Sequence, residues 1–144
     1  VVCMRISLLL DLKSGFLNPL VLSAKLGVGT IFGNKSNIIE WIHIKDAAKF
    51  VSYALNNSNI DGSYNLASKN KVTQSELIRL IKKHYAKYAM PITVPSYILS
   101  LIFGKRAQIL EGKTKVSVKK LIDSGFKWDY PILEEALKKE TFSY

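Results

Sequence analysis

The sequence has 144 residues, of which 48% are hydrophobic, and a formal net charge of +10. This predicts one globular unit, and no apolar run approaches the roughly 18–20 residues that a membrane-spanning helix needs. The only cysteine, Cys3, excludes an intrachain disulfide and a thiolate metal cluster, and its apolar neighbours predict a buried, unreactive thiol in a cytoplasmic protein.

The first segment, VVCMRISLLL at residues 1–10, is a continuous apolar run, typical of a strand buried on both faces in a parallel sheet. The chain opens on this strand without a methionine, so we expect part of a longer parent protein to precede Val1. A turn at 11–15 and a helix at 16–27 should follow, with Gly27 as the C-terminal cap.

Two short extended pieces come next, at 28–34 and 38–44. Asp46 is then predicted to be the N-cap of a helix at 47–57, because a carboxylate at that position accepts backbone N–H bonds and meets the helix dipole. Replacing Asp46 with alanine should then cost about 1 kcal/mol.

The second half alternates further strands and helices. Thr73 and Glu76 have the spacing of a capping box, which predicts a helix start. The other predicted elements are a turn at 58–62, a strand at 63–68, an extended stretch at 92–94, an apolar helix at 96–104, a helix at 114–126 closed by Gly125, and an amphipathic helix at 133–140.

The glycines of GVGTIFG at 27–33 are spaced in a way that resembles a dinucleotide-binding loop. Such a loop needs a strand before the glycines and a helix after them. Here the predicted order is reversed, so we interpret the glycines as turn residues. The Tyr-x-x-x-Lys pair of a short-chain reductase is absent too, since none of the seven tyrosines has a lysine four residues on. No catalytic residue is therefore assigned.

His43 and Asp46 stand at the predicted junction of a strand and a helix. A metal site would need further ligands nearby, and the sequence offers none. We therefore favour a structural role for both, with His43 as a hydrogen-bonded residue near a strand end. The other histidine, His84, is expected on a helix surface or half-buried.

The positive charge is uneven: residues 1–66 hold six Lys/Arg against four Asp/Glu, and residues 67–144 hold fifteen against seven. Lysines spaced at helical intervals between apolar residues are typical of a solvated helix face, so nucleic-acid binding is not favoured. It stays open as the alternative function: a stand-alone basic module for an acidic partner, whose binding to duplex DNA would fall steeply with salt.

Nine stretches in a fixed order resemble the second half of the extended short-chain dehydrogenase/reductase family. They are RISLLL, GTIFG, WIHIKD, YNLAS, VTQSEL, VPSYILSLIFG, ILEGKTKVS, LIDSGFKW and YPILEEAL. The order is most similar to the NAD-dependent epimerase/dehydratase-like branch, often labelled cell-division inhibitor, which ends in a small domain of unknown function.

The resemblance implies an α/β fold, namely the C-terminal fragment of a Rossmann-type sheet with a mostly helical substrate-side lobe. Residues 1–70 would hold the last strands and a crossover, and residues 71–144 the helical lobe. The strand RISLLL would pass near the nicotinamide of NAD or NADP in the parent protein, which makes Arg5 and Ser7 cofactor-binding residues.

On the substrate side, the resemblance places Trp41 and His43 in the cleft of a small-molecule substrate. Nucleotide-sugar epimerases of the family carry an arginine four residues before this histidine, where the present chain has Ile39. That departure argues against a nucleotide-sugar substrate, because its pyrophosphate would lose the paired N–H donors of a guanidinium.

The family's Gly-rich loop and Tyr-x-x-x-Lys pair belong to its first half, so we expect this chain alone to be inactive and to bind no cofactor. The strands near 1–9 and 63–67 should be parallel neighbours. The other edge of the first strand would be open and its faces uncovered, exposing Val1, Met4, Ile6 and Leu8 or their neighbours, and this predicts self-association through that strand or the adjoining apolar face.

Overall fold

The computed structural model describes residues 1–11, 13, 17–95, 97 and 115–141. The elements in these ranges are strands β1 (Val2–Ile6), β2 (Leu8–Leu10), β3 (Val28–Phe32), β4 (Ile38–Ile39), β5 (Trp41–His43), β6 (Gly62–Leu66), β7 (Val72–Thr73) and β8 (Met90–Val94), and helices α1 (Leu17–Lys25), α2 (Ile44–Asn56), α3 (Gln74–Tyr85), α4 (Lys119–Asp123) and α5 (Leu133–Thr141).

Most of two predicted elements lies outside the described residues: the turn at 11–15 and, apart from Tyr97, the helix at 96–104. The helix predicted at 114–126 is shorter in the structure, since residues 115–118 are not helical and α4 covers only Lys119–Asp123. Gly125 does follow that helix with a positive φ of 81°, as a C-terminal turn requires.

The first apolar run forms two strands with different neighbours. β1 pairs in parallel with β6, with Val2 opposite Gly62, which confirms the predicted parallel neighbours. The run does not continue as one strand, because the backbone N–H and the hydroxyl of Ser7 both donate to the Leu66 carbonyl, at 3.0 and 2.8 Å. From Leu8 onward the chain pairs with β5 instead.

The remaining strands form two further pairs. β3 and β8 are parallel, whereas the two-residue strands β4 and β7 are antiparallel. Apart from that short pair, every strand pairing in the described ranges is parallel, and helices pack on several strands, with α1 and α3 on β3 and α4 on β6. β1 is exposed from Cys3 to Ile6, so the prediction that the first strand is buried on both faces is wrong. The mixed α/β arrangement is the one that the resemblance implied.

Two hydrophobic clusters form the core. The first gathers α1, β3, α3 and α5, with Trp41 and Ile81 among its buried residues. The second gathers β6, α2 and α4 around Phe50, which is fully buried. Both clusters contain residues from before and after the predicted domain boundary at 70/71, and that boundary stays a prediction.

The glycines at 27–33 have two different roles. Gly27 follows α1 with a φ of 94° and Gly33 has a φ of 68°, so both are turn residues, and a strand follows the helix as predicted. Gly29 differs because it lies within β3, where a Cβ atom would stand 2.9 Å from Cγ2 of Ile78 on α3. The interpretation of Gly29 as a turn residue is therefore wrong.

Replacing Gly29 with alanine should destabilise the chain by about 1–3 kcal/mol, because the added methyl overpacks a buried contact. Urea unfolding of Gly29→Ala, Ile78→Ala and the double variant would measure it. Ile78→Ala should cost less stability in the Gly29→Ala background than it does alone, since it removes the Ile78 methyl with which the new Cβ clashes. Additive costs would contradict this explanation.

The N-cap of α3 confirms the predicted helix start. The Thr73 hydroxyl accepts the Glu76 backbone N–H at 3.2 Å. At the other end of this helix, Lys83 donates to Glu134 of α5 at 2.8 Å, and Nε2 of the half-buried His84 lies 3.6 Å from the same carboxylate. The predicted environment of His84 is thus confirmed.

The hydrogen bond from Lys83 holds the pKa of Glu134 below its ordinary value of 4.5. A carboxylate with a lowered pKa in the folded state stabilises the fold above its unfolded pKa, and the stabilisation is lost as the pH falls through the folded pKa. Glu134→Gln should therefore be slightly less stable than the natural chain at pH 7, and the difference should vanish well below pH 4.5. Thermal melts over that range check it, with exposed Glu135→Gln as the control; a difference that persists in acid would contradict the ion pair.

The environment of β1 matches one expectation and overturns another. Val1, Met4 and Ile6 are exposed at 111%, 39% and 54%, as the open-edge prediction required, but Leu8, which the same prediction included, is half-buried because the chain pairs with β5 from there on. Cys3 is exposed, so the prediction of a buried thiol is wrong. The apolar run around it does not cover its side chain, because side chains of a strand point to the faces of the sheet and β1 is exposed on both, at Cys3 and Arg5 as well as at Met4 and Ile6.

Candidate functional site at the carboxyl ends of β5 and β6

The junction between β5 and α2 places His43 and Asp46 within one helical turn. α2 begins at Ile44 and its N-cap is His43, whose Nδ1 accepts the Lys45 backbone N–H at 3.2 Å. The prediction that Asp46 caps this helix is therefore wrong, and the helix starts three residues earlier than expected. The structural role predicted for His43, a hydrogen-bonded residue at a strand end, is what the structure shows.

Asp46 instead joins the first half of the chain to its C-terminal part. Its carboxylate accepts the backbone N–H groups of Asp129 and Tyr130, at 2.7 and 3.0 Å, and the residue is fully buried. Since these partners lie more than eighty positions away in the sequence, nothing in the local pattern distinguished this role from a helix cap. A buried carboxylate held by two amides is a strong structural contact.

The segment 128–131 lies against the loop that follows β6. The Trp128 indole donates to the Ala67 carbonyl at 3.0 Å, and Ser68 Oγ and Asn70 Nδ2 each donate to the Pro131 carbonyl at 2.9 Å. Sequence reasoning did not find these residues, because short polar side chains after a strand are common in loops and carry no sign of a distant partner.

Trp41 and His43, the predicted substrate-cleft residues, are both buried. Trp41 is 2% exposed and its indole donates to the Asn70 carbonyl at 3.2 Å. His43 is 0% exposed, and its ring centroid lies 4.3 Å from that of Tyr130. The packing leaves neither side chain a surface that a ligand could touch, so their contact with substrate stays a prediction without support from the geometry.

The two predicted cofactor residues lie two positions apart, Arg5 within β1 and Ser7 between β1 and β2. Arg5 of β1 is exposed, opposite Asn65 in the parallel register. Ser7, two residues on, uses its hydroxyl to bond the Leu66 carbonyl. Arg5 can therefore reach an anionic ligand, whereas the Ser7 hydroxyl is already committed to the backbone.

A small apolar cavity of about 10 Å³ lies near these strand ends. Its lining is entirely hydrophobic: Leu8, Leu9, Leu10, Leu17, Ile39, Trp41, Val72, Leu77 and Leu133. A space of that size holds roughly one water molecule, and an apolar lining keeps it dry. Ile39 belongs to this wall and is 4% exposed.

The described residues contain no group of three or more His, Cys, Asp or Glu side chains placed to hold a metal ion. None of the helices in the same ranges combines the length and the hydropathy that a bilayer crossing requires. In chemical terms the site has a buried carboxylate with two donors, several side chain to backbone bonds and one exposed guanidinium.

Comparison with known proteins places this geometry in context. Residues 94–140 match a domain of unknown function, DUF1731. The mouse epimerase family protein SDR39U1 is 31% identical over 139 residues, which are 95% of this chain and 47% of the mouse protein. The Bacillus subtilis epimerase family protein YfhF is 31% identical over 129 residues, 88% of this chain and 42% of that protein.

A solved structure agrees in three dimensions. The crystal structure of human epimerase family protein SDR39U1 (isoform 2) with NADPH is 28% identical and matches 99% of this chain and 48% of that chain, with a TM-score of 0.88. The chain thus spans about half the length of the relatives it matches. Its fold is that of the C-terminal part of a Rossmann-type epimerase-like chain, which confirms the predicted fold class.

Proposed function

We propose that this chain acts as the C-terminal, substrate-side lobe of an NAD(P)-dependent epimerase/dehydratase-like oxidoreductase. The observation that supports this most directly is the match of nearly the whole chain, at a TM-score of 0.88, to about half of a human epimerase family protein that was solved with NADPH. The sequence carries neither a Gly-rich loop of the required context nor a Tyr-x-x-x-Lys pair. The lobe alone therefore performs no hydride transfer.

Within this proposal Arg5 is the residue of the lobe that touches the cofactor. It is exposed on β1, and a guanidinium suits the phosphates of a dinucleotide because it offers paired donors. Ser7 contributes by fixing the point where the chain leaves β6 for β5, through its bond to the Leu66 carbonyl. Trp41 and His43 are both buried, so in this proposal they support the residues that line the cleft and do not contact the substrate themselves.

The substrate in this proposal is a small molecule without a pyrophosphate group. Ile39 is buried among hydrophobic side chains, so this position offers no hydrogen-bond donor to a pyrophosphate. The resemblance points the same way, since nucleotide-sugar epimerases carry an arginine where this chain has Ile39.

The test joins the N-terminal half of the Bacillus subtilis relative to this chain and measures NADPH binding by fluorescence titration. The chain alone should show neither binding nor turnover, and the chimera should bind NADPH. Arg5→Gln should weaken that binding about tenfold, as the loss of one charged contact does. Exposed Arg79→Gln on α3 is the matched control. Hydride transfer by the chain alone, or equal binding by both arginine variants, would contradict the proposal.

A further expected property is self-association of the isolated chain through β1. Unpaired backbone groups beside exposed Met4 and Ile6 favour edge pairing between copies. Light scattering over a concentration series should show a mass that rises above 16.2 kDa. Ile6→Lys should lower the association, whereas a constant monomer mass at every concentration would contradict it.

A further inference from the structure

The parallel strands β3 and β8 begin side by side, each directly after a turn. The Met90 backbone N–H donates to the Gly27 carbonyl at 2.8 Å, so the two turns lie next to each other. The turn before β3 carries Leu26, which is 77% exposed, and the turn before β8 carries Tyr88, which is 95% exposed. Side chains with this exposure project from the surface, and these two do so at neighbouring points.

Two residues of β8 extend this apolar surface along one face of the strand pair. In the parallel register Met90 lies beside Val28 and Ile92 beside Thr30, so the four side chains are on the same face. The Thr30 hydroxyl donates to Ser23 of α1 at 3.3 Å, which places α1 on that face too. Met90 and Ile92 remain exposed beside this helix. The apolar tip, as we call this surface, consists of Leu26, Tyr88, Met90 and Ile92.

The apolar tip is formed by two segments that contain no acidic residue. Residues 12–39 hold three lysines and no Asp or Glu, and residues 77–110 hold six Lys/Arg and no Asp or Glu. A lysine directly precedes the exposed apolar residue of each turn, at Lys25 and Lys87, and both lysines are exposed. Neither takes part in an ion pair of the described residues. The tip therefore combines projecting apolar side chains with cations that no carboxylate neutralises.

We propose that the apolar tip is a docking surface for a membrane that contains anionic phospholipids. Projecting apolar side chains enter the boundary between lipid headgroups and acyl chains, and tyrosine is enriched at that depth. Lys25 and Lys87 stay at the level of the phosphates, where each adds attraction to a negatively charged leaflet. The chain lies on such a membrane through this tip.

A second copy of this chain fits the apolar tip poorly. In a twofold dimer the same patch meets itself, so Lys25 and Lys87 of one copy approach those of its partner. Like charges brought together at an interface oppose association, and the two segments of the tip supply no carboxylate between them. An anionic lipid surface offers the complementary charge to both lysines.

Co-sedimentation with lipid vesicles tests the proposal. Vesicles of phosphatidylcholine with about 30% phosphatidylserine are compared with vesicles of phosphatidylcholine alone. The chain should bind the anionic vesicles at least about tenfold more tightly, because two lysines act together on the charged leaflet. Raising the salt from about 0.05 M to about 0.5 M should weaken this binding, since the attraction is screened.

Matched variants assign the binding to the apolar tip. Leu26→Gln should weaken it about tenfold, because an apolar side chain no longer leaves water. Lys25→Gln should weaken it about fivefold, the effect of one lysine near an anionic surface. The controls are Leu55→Gln on α2, at a position that is 82% exposed, and Lys127→Gln at an exposed position next to Phe126 of the second hydrophobic cluster. Both controls should bind as the natural chain does.

A fluorescent reporter separates insertion from adsorption. The only cysteine is first removed by Cys3→Ser, and a polarity-sensitive dye is then attached through Leu26→Cys or Leu55→Cys. Anionic vesicles should shift the emission of the dye at position 26 to shorter wavelength, because that position enters the acyl boundary. The emission of the dye at position 55 should stay unchanged.

Four results would overturn the proposal. The first is an absence of binding to the anionic vesicles, and the second is an equal loss for Leu26→Gln and Leu55→Gln. The third is binding without a shift of the dye at position 26, since the lysines then only adsorb to charge. The fourth is binding that Met4→Gln on β1 abolishes and Leu26→Gln does not, which assigns the contact to β1. If the chain ignores vesicles and Leu26→Gln lowers its mass in light scattering, the tip instead joins two copies.

Discussion

Replacing Asp46 with alanine should lower the free energy of unfolding by about 3–5 kcal/mol, several times the loss of a helix cap. The carboxylate is fully buried and accepts two backbone N–H groups, from Asp129 and Tyr130, which its removal would leave without an acceptor. Each buried donor that loses its partner costs about 1–3 kcal/mol. Urea unfolding followed by circular dichroism measures the change.

Two further variants make this prediction specific. Asp46→Asn should fall between the natural chain and Asp46→Ala, because its amide keeps one acceptor and opposes a donor with the other group. Asp129→Asn removes the charge of a side chain that is 55% exposed and paired with Lys49, and should change stability by less than about 0.5 kcal/mol. A loss near 1 kcal/mol for Asp46→Ala would mean that the carboxylate acts only on its own helix.

Replacing Phe50 with alanine should destabilise the chain by about 3–5 kcal/mol, as is typical for a buried aromatic. Phe50 is 0% exposed, and its ring centroid lies 5.2 Å from that of Tyr64 and 5.5 Å from that of Phe126. It therefore connects α2, β6 and the segment after α4. Removing the ring leaves a cavity between these three elements.

The adjacent residue is the matched control. Val51, 41% exposed on the outer face of the same helix, should tolerate alanine with a change of less than about 1 kcal/mol. The midpoint of urea unfolding should therefore fall sharply for Phe50→Ala and hardly for Val51→Ala. Equal effects of the two substitutions would mean that the second hydrophobic cluster contributes little to the free energy of unfolding.

Local patterns in the sequence determined several features correctly. Thr73 caps α3 because its hydroxyl and the Glu76 N–H are only three residues apart, so the contact depends on no other part of the chain. The resemblance predicted β1 and β6 as parallel neighbours, which they are, but the apolar run at 1–10 wrongly predicted a strand buried on both faces, since β1 is exposed from Cys3 to Ile6. The turn at Gly27 was also predictable, because a glycine after a helical pattern favours the positive φ of 94° that the structure shows there.

Tertiary contacts decided the rest. His43 and Asp46 can both accept a backbone N–H at a helix start, and the sequence could not show that residues 129 and 130 would take the carboxylate. The exposure of Cys3 depends on what packs on the faces of β1, and the need for glycine at position 29 is explained only by Ile78 of a packed helix. A contact within one helical turn is encoded by neighbouring residues, whereas burial and long-range hydrogen bonds depend on which distant segment arrives to pack.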